Sequence, residues 1–544
     1  MKAADRAVPR QSEVSAVGIS AVKGTTEQVT EQVIVTAEQM RQIESRLFDA
    51  GMPVAALMEK VGGLISSWFQ AAFPRATHPQ VGVLVGPGHN GGDALVVARE
   101  LHLNGYQVQV YAPFGRMKEL TAQHTRYAAS LGISFESDIA PLGSCNVLID
   151  GLFGFGLERA IEGDLAEAVE SLNQWPQPCV SIDLPSGIHT DLGAVLGTAI
   201  KATYTLCLGL WKRAFFQESA LPWVGKAELI PFGIPQADVE AVLGQPAAVQ
   251  RLTSRVALSC LPLPRPLVTH KYRVGSLLLV AGSRAYGGAA LLAALGARAS
   301  GVGMLTLVVP DSLKLLLHAQ LPEALIVGCP ETPEGAIAQL PDKIDPNQYS
   351  AIACGPGLSR QAGAIFDQVI ASHASLVLDA DGLNLLADRN PTTTLAQRSA
   401  PTVLTPHMGE FRRLFPEIAD QEADAGTAAV EAATRSGTVM VLKGARSAIA
   451  HPSGSLWYLP ASTPALARGG SGDVLTGLVG GLLAQKAASS SEGPLNGALE
   501  AALGGVWWHA QAAQAAAAER TTLGVDPATL AEYLNPTLAD FCSA

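Results

Sequence analysis

The chain has 544 residues, too many for one hydrophobic core, so two or more domains are expected. It is 48% hydrophobic and 16% charged, with a formal charge of −11 and no basic stripe. That composition fits a folded, soluble α/β protein and speaks against a nucleic-acid partner. No apolar run is long enough to span a bilayer, so no membrane association is expected. The seven cysteines form neither a Cys-x-x-Cys nor a Cys/His cluster, which points to a reducing, cytoplasmic compartment and away from disulfides or zinc.

Residues 1–32 are polar, lack the apolar core of a secretory signal and read as a flexible extension. Thr36 is a plausible N-cap for a first helix, and a second helix reads from about Pro53 to Phe69. A buried strand, Val81 to Val85, then runs into Gly86-Pro87-Gly88-His89-Asn90-Gly91-Gly92-Asp93. A helix from Ala94 to Asn104 and a strand from Gln107 to Ala112 complete a βαβ unit whose loop is a natural ligand crevice. Gly86, Gly88 and Gly91 match G-x-G-x-x-G, but the following strand does not end in the acid that a dinucleotide fingerprint needs for its ribose. A hydride-transfer dehydrogenase is therefore not read here.

Two further strands end in aspartate: Cys145 to Asp150, before Gly151-Leu152-Phe153-Gly154-Phe155-Gly156, and Cys179 to Asp183, before Leu184-Pro185-Ser186-Gly187. In a parallel sheet these ends face one crevice, so Asn90, Asp93, Asp150, Asp183 and Ser186 are expected to converge. Each aspartate alone would cap a turn. Together they offer hard oxygen ligands, better suited to an alkali or alkaline-earth cation than to zinc.

Gly-x-Gly-x-Asn-Gly-Gly-Asp, then Asp-Gly-Leu-Phe-Gly-x-Gly, then Ile-Asp-Leu-Pro-Ser-Gly, in this order, resembles the NAD(P)H-hydrate epimerase (YjeF N-terminal) domain. The resemblance covers residues 33–245 and implies a Rossmann-like fold. It implies K+ at Asn90, Asp150 and Ser186. It further implies hydrate contacts from His89, Asn90, Gly91, Gly92 and Asp93, from Gly154, Phe155, Gly156, Leu157, Glu158, Arg159 and Ala160, and from Asp183. His89, Ala94 and Phe155 depart from the usual family residues.

Leu261-Pro262-Leu263-Pro264-Arg265-Pro266 marks a proline-stiffened linker, placed at residues 246–268. Residues 269–544 repeat the α/β pattern, as short apolar strands with their polar residues at the carboxyl ends. No G-x-x-x-x-G-K-[ST] occurs, so this is not a P-loop enzyme. The most pointed stretch is Gly469-Gly470-Ser471-Gly472-Asp473, a glycine turn opening an apolar helix. Such a turn aims several N–H groups and the helix dipole at one point, which suits a phosphate. A carboxylate beside it is repulsive unless it takes a proton from an attacking hydroxyl. Lys443 alone would be a solvent-exposed loop lysine, and His407 alone a capping or packing histidine.

Val-Ala-Gly-Ser, Cys-Gly-Pro-Gly-Leu, Leu-Asp-Ala-Asp-Gly-Leu-Asn, Leu-Thr-Pro-His-x-Gly-Glu, Val-Leu-Lys-Gly and Gly-Gly-Ser-Gly-Asp-Val-Leu-Thr-Gly, in order, resemble the ADP/ATP-dependent NAD(P)H-hydrate dehydratase (YjeF C-terminal) family. The resemblance implies a ribokinase-like fold, and hence two three-layer αβα domains in the chain. It implies hydrate contacts at Ala289, Gly357, His407 and Asp473. Nucleotide contacts are implied at Lys443, Gly444, Ala445, Arg446, Ser447 and Gly472, with ADP or ATP and Mg2+. Met408 stands where the family usually has proline. The expected catalytic residues are Asp473, as base on the hydrate hydroxyl, and Asp183, as acid/base for interconverting the R and S hydrates. A homo-oligomer is expected. Two alternatives stay open: a ribokinase-like small-molecule kinase in the second half, and a non-catalytic nucleotide-binding module in the first.

Overall fold

The computed structural model describes residues 31–421, 424–489 and 494–543. Most of the expected N-terminal extension, residues 1–30, lies outside the described residues. Two parallel sheets organise the rest. The first has seven strands, in the order 134–136, 107–111, 80–85, 147–151, 179–182, 204–208 and 226–230. All of its pairings are parallel. Val81 to Val85 is buried throughout because helices cover both faces of a parallel sheet, so the strand reads as a continuous apolar run. The chain leaves Gln80–Val85 in one direction and returns to Val147–Gly151 on its other side. The crevice between those two carboxyl ends is the switch point, where ligands bind in such sheets.

The second sheet has ten strands, in the order 249–251, 456–458, 448–450, 439–442, 402–404, 375–378, 351–354, 276–280, 304–310 and 325–329. Only the two pairings made by Ala448–Ala450 are antiparallel. Its switch point lies between Ser276–Val280 and Ala351–Cys354. The helices Gly287–Ala299 and Ser471–Ser489 cross in backbone contact on one face. A Cβ added to Gly477 would lie 1.7 Å from the Ala293 carbonyl oxygen, and one on Gly296 would lie 2.0 Å from that of Val474. Small residues there bring the Ser471 helix close to the sheet and fix where its N-terminus points.

One local expectation holds and two are revised. Thr36 caps the Ala37–Asp49 helix as read, in a capping box with Gln39. The helix of the βαβ unit, however, begins at His89, not Ala94, so Asn90 to Asp93 lie within it. The stretch 246–268 is more than a linker. Val249–Arg251 is an edge strand of the second sheet, paired in parallel with Leu456–Tyr458, and Ser254–Cys260 is a helix capped by Thr253.

The domains meet over an apolar cluster that is continuous across the boundary. Leu184, Ile188, Trp211 and Phe216 of the first domain share it with Leu442, Ala448 and Tyr458 of the second. Polar contacts at its edge join Arg213 to Asp424 (3.0 Å), and Tyr458 donates to the same carboxylate (2.9 Å).

Candidate active sites

The first crevice is built by close backbone approach. Gly86 leaves its strand against Leu152, whose carbonyl oxygen would lie 1.6 Å from an added Cβ, and Gly91 packs onto the Gly86 carbonyl at 2.0 Å by the same measure. These glycines let the His89 helix start directly at the strand end. Its N-terminus then faces a cavity of about 790 Å³.

His89, Asn90, Asp93, Gly154, Phe155, Gly156, Leu157, Glu158, Arg159 and Asp183 line that cavity, as the sequence places them. Gly91 and Gly92 do not, being buried beneath it, with Gly92 against Met58. Ala160 is exposed outside it. The Asp150 carboxylate is fully buried and accepts from the Ser181 hydroxyl (2.8 Å), the Ser186 hydroxyl (2.6 Å) and N–H (2.9 Å), and the Leu152 N–H (3.2 Å). Burial pushes this carboxyl above its ordinary value, and the Ser186 donors hold it back. Asn90 stands in the same crevice but bonds to neither residue. Its Nδ2 is buried without a partner, while its Oδ1 would sit 3.1 Å from a Cβ on Gly154.

Asp183 departs from the expectation of a free acid/base. Its Oδ1 meets the ammonium of Lys212 at 2.5 Å and the Leu208 N–H at 3.4 Å, while its Oδ2 accepts from the Phe155 N–H at 2.8 Å. Lys212 is wholly buried, donates also to the Leu208 carbonyl (2.5 Å), and lies 5.6 Å from the centre of the Phe155 ring. Burial works to depress its ammonium, but Asp183, Cys207 and Glu44 outweigh this and hold it above its ordinary value. Asp183 adopts φ +70, a left-handed conformation that a non-glycine residue keeps only when its surroundings enforce it. Burial, with the charges of Asp183 and Glu44, pushes Asp93 well above the ordinary carboxylate range.

Lys212 and Glu44 were not read from the sequence. The one available signal for Lys212 is its place directly after the apolar run Leu206 to Trp211. Glu44 lies beside the buried stripe Met40, Ile43 and Leu47 of its helix, where helical spacing brings it near the core side.

In the second domain Gly355 and Gly357 turn the chain after Cys354 with φ +132 and +59. Gly357 packs on Ala289, 2.8 Å from an added Cβ. Asp379, at the end of Ser375–Leu378, accepts from Lys443 Nζ (2.7 Å) and Thr476 Oγ1 (2.7 Å). Gly472 stands over that pair, its Cβ position 3.4 Å from Lys443 Nζ and 3.5 Å from Asp379 Oδ2. Asp473 follows in the first turn of the Ser471–Ser489 helix. Burial, then the neighbouring Asp379, pushes its carboxyl up to about 7, with Lys443 opposing. Asp473, Gly472 and Lys443 are thus brought together.

His407 acts as an N-cap. Its Nδ1 accepts from the Gly409 N–H (2.9 Å) and the Glu410 N–H (3.3 Å), and Glu410 accepts from the His407 N–H (2.9 Å) in return. Its ring is 56% exposed, and its other nitrogen, Nε2, lies 3.6 Å from the Glu410 carboxylate. The loop 443–447 has an unexpected neighbour. Glu218 of the first domain accepts from the Ala445 N–H at 2.5 Å, and the Arg446 guanidinium reaches the Phe215 carbonyl at 3.4 Å. Ser447 folds onto Gly444 within the loop. Among the described residues no group of three or more His, Cys, Asp or Glu is placed to hold a metal ion, and no helix is long and apolar enough to cross a membrane.

Fold and crevices define a two-domain α/β enzyme, with a cavity at the switch point of the first sheet and the Asp379, Lys443 and Asp473 cluster at strand ends of the second. A family model described as YjeF-related protein N-terminus matches residues 54–214, and one described as NAD(P)H-hydrate dehydratase matches residues 277–536. The chain is 53% identical over 505 residues to a bifunctional NAD(P)H-hydrate repair enzyme of Thermosynechococcus vestitus, covering 93% of this chain and 97% of the relative. It is 52% identical to the enzyme of the same name from Synechocystis, covering 93% and 94%. An ADP/ATP-dependent NAD(P)H-hydrate dehydratase from Bacillus subtilis, co-crystallised with ATP/Mg2+, is 32% identical with a TM-score of 0.44, over 54% of this chain and 98% of that one. The chain belongs to the family of bifunctional NAD(P)H-hydrate repair enzymes.

Proposed function

We propose that the first domain interconverts the R and S forms of hydrated NADH and NADPH. The second then dehydrates the S form at the expense of ADP, giving AMP, phosphate and the restored NAD(P)H. The observation that carries this reading is the match to bifunctional repair enzymes over 93% of the chain, through both crevices.

In the second domain, Asp473 takes the proton of the C6 hydroxyl as its oxygen attacks the terminal phosphorus of ADP and AMP departs. The N–H groups of Gly470 to Gly472 hold the transferring group. Phosphate is a far better leaving group than hydroxide, so the ring nitrogen's electron pair expels it, and loss of a C5 proton restores the double bond. Ala289 and Gly357 form the small-residue wall for the nicotinamide, and the exposed His407 ring contributes a further contact. Lys443, with Gly444, Ala445, Arg446, Ser447 and Gly472, binds the nucleotide phosphates. Mg2+ carried on those phosphates would neutralise part of their charge.

In the first domain His89, Asn90 and Asp93 and the segment Gly154 to Arg159 hold the hydrate, and the Asp183–Lys212 pair fixes that segment through the Phe155 N–H. The buried Asp150 carboxylate meets only neutral donors and lies among the oxygens of Ser186 and Phe153. Hard oxygens around an unneutralised buried charge fit K+, with Asn90 completing the set. Once bound, K+ supplies a fixed positive charge for the substrate's phosphates. A cytoplasmic location accords with cysteines that are all free, and a homo-oligomer remains the expected assembly.

The test is recovery of reduced-nicotinamide absorbance from an R/S mixture of the hydrate with ADP, Mg2+ and K+. Complete, ADP-dependent recovery is expected. Recovery that stops once the S form is consumed would overturn the epimerase half. A stable phosphorylated product without free phosphate would replace the dehydratase by a kinase.

A further inference from the structure

We infer that Glu44 is the proton-transferring residue of the first site, moving one proton between the C6 hydroxyl and the ring nitrogen of the hydrate. The inference rests on the epimerase reading above.

Four carboxylates reach the cavity: Glu44, Asp93, Glu158 and Asp183. Asp183 has both oxygens engaged by Lys212, Leu208 and Phe155. Glu158 is exposed at the rim. Asp93 sits in the His89 helix, where burial and the charges of Asp183 and Glu44 favour its protonated form, so it is a poor base. Glu44 combines access with freedom, and Lys212 opposes the burial that would keep it protonated. It projects from the middle of the Ala37–Asp49 helix into the cavity, between Arg41 and Phe48. Among the described residues it has no hydrogen-bond or ion-pair partner. The guanidinium of Arg41, one turn away, is held by Glu38 at 3.0 Å. A carboxylate left unpaired in a cavity costs stability unless it has work to do.

The chemistry needs one such group. C6 of the hydrate carries both the hydroxyl and the ring nitrogen, so the two oxygens of one carboxylate can reach both. The Glu44 carboxylate takes the hydroxyl proton while the C6–N1 bond breaks, its electron pair passing to nitrogen as the C6–O bond becomes a carbonyl. The same proton then passes from Glu44 to N1. Rotation about C5–C6 presents the other face of the aldehyde, and the reverse transfer closes the ring as the opposite epimer. No oxidant, reductant or second base is consumed. Lys212, Asp183 and Asp93 face Glu44 from the floor, Lys118 and His89 from the side, and Arg41 from its own helix. Burial, opposed by Lys212 and reinforced by Asp183, pushes the Glu44 carboxyl up to about 7, where it both takes and returns a proton at neutral pH.

The experiment uses the full chain and purified R hydrate without ADP, following R-to-S conversion by chromatography. Glu44→Gln should lower kcat for epimerisation about a hundredfold or more, with KM within about threefold. Glu44→Asp should restore part of kcat, and the wild-type fall in rate below about pH 7 should vanish from the residual rate of Glu44→Gln. ADP-dependent dehydration of the S form by the same variant should be unchanged. Epimerisation within threefold of wild type in Glu44→Gln would overturn the assignment. A loss that appears as raised KM, with no rescue by aspartate, would also overturn it and make Glu44 a binding or packing residue. If the wild-type chain dehydrates S but never interconverts R and S, the epimerase reading itself falls and takes this inference with it.

Discussion

Asp473→Asn should abolish dehydration and, at the same time, stabilise the protein. The carboxyl of Asp473 stands at about 7 in the fold against an ordinary value of 3.8, with burial and Asp379 as the leading causes. An acid whose pKa is raised on folding binds its proton more tightly in the native state. Stability therefore falls as pH rises from about 4, and the loss is complete only above about 7. The span of about three units sets an upper bound of about 4 kcal/mol on the cost of the ionised side chain. Between pH 5 and pH 8 the advantage of Asn over Asp should grow by about 2–3 kcal/mol. Urea unfolding of both proteins at the two pH values reads this difference. Wild-type dehydration should fall about tenfold per pH unit below 7, because the base must be ionised, while ADP binding by the variant persists. A stability difference that does not change with pH would refute the raised carboxyl. Retained turnover would refute its role as base.

Three further outcomes are expected. Lys212→Met leaves Asp183 buried without its counter-charge and should destabilise the first domain by about 3–5 kcal/mol, read as an earlier unfolding transition with loss of epimerisation. Glu218→Gln removes a negative charge from the Ala445 N–H and should lower KM for ADP about fivefold, for ~1 kcal/mol of relieved repulsion, as measured by ADP titration of the dehydratase reaction. Gly477→Ala places a methyl group 1.7 Å from the Ala293 carbonyl oxygen and should cost about 1–3 kcal/mol by forcing two helices apart, visible as a lowered Tm.

The strand ends were legible in the sequence because a strand buried on both faces of a parallel sheet must be an unbroken apolar run, and the first polar residue after it must lie at the crevice. Asp150, Asp183 and Asp379 follow that rule. What escaped was set by packing between distant segments. Lys212 reads as an ordinary lysine until the fold brings it to Asp183, and Glu218 reads as a surface acid until the second domain arrives. The proline cluster at 262–266 dominated the reading of the domain join, while Val249–Arg251, at three residues, is too short to show a period. For His407 the plain alternative of a capping histidine is what the geometry displays.

The contact made by Glu218 changes how the fusion of two sites should be understood. Lys212 and Glu218 lie on one short stretch, Trp211 to Ala220, which pairs as a strand with Ile34–Val35 and then folds into two single 3₁₀ turns against the second domain. One end of the stretch holds the Asp183 carboxylate that fixes the Phe155 segment of the first site. The other end covers the loop 443–447 of the second. Trp211 and Phe216 bury this stretch in the apolar cluster shared by both domains, so it does not swing freely. An anionic phosphate reaching the Ala445 N–H would meet Glu218, which sits on the same packed segment as Lys212. Energetic coupling needs such contiguous contacts together with a ligand that favours one arrangement. The packed segment supplies the contacts, and the ADP titration of Glu218→Gln tests whether the nucleotide favours one arrangement.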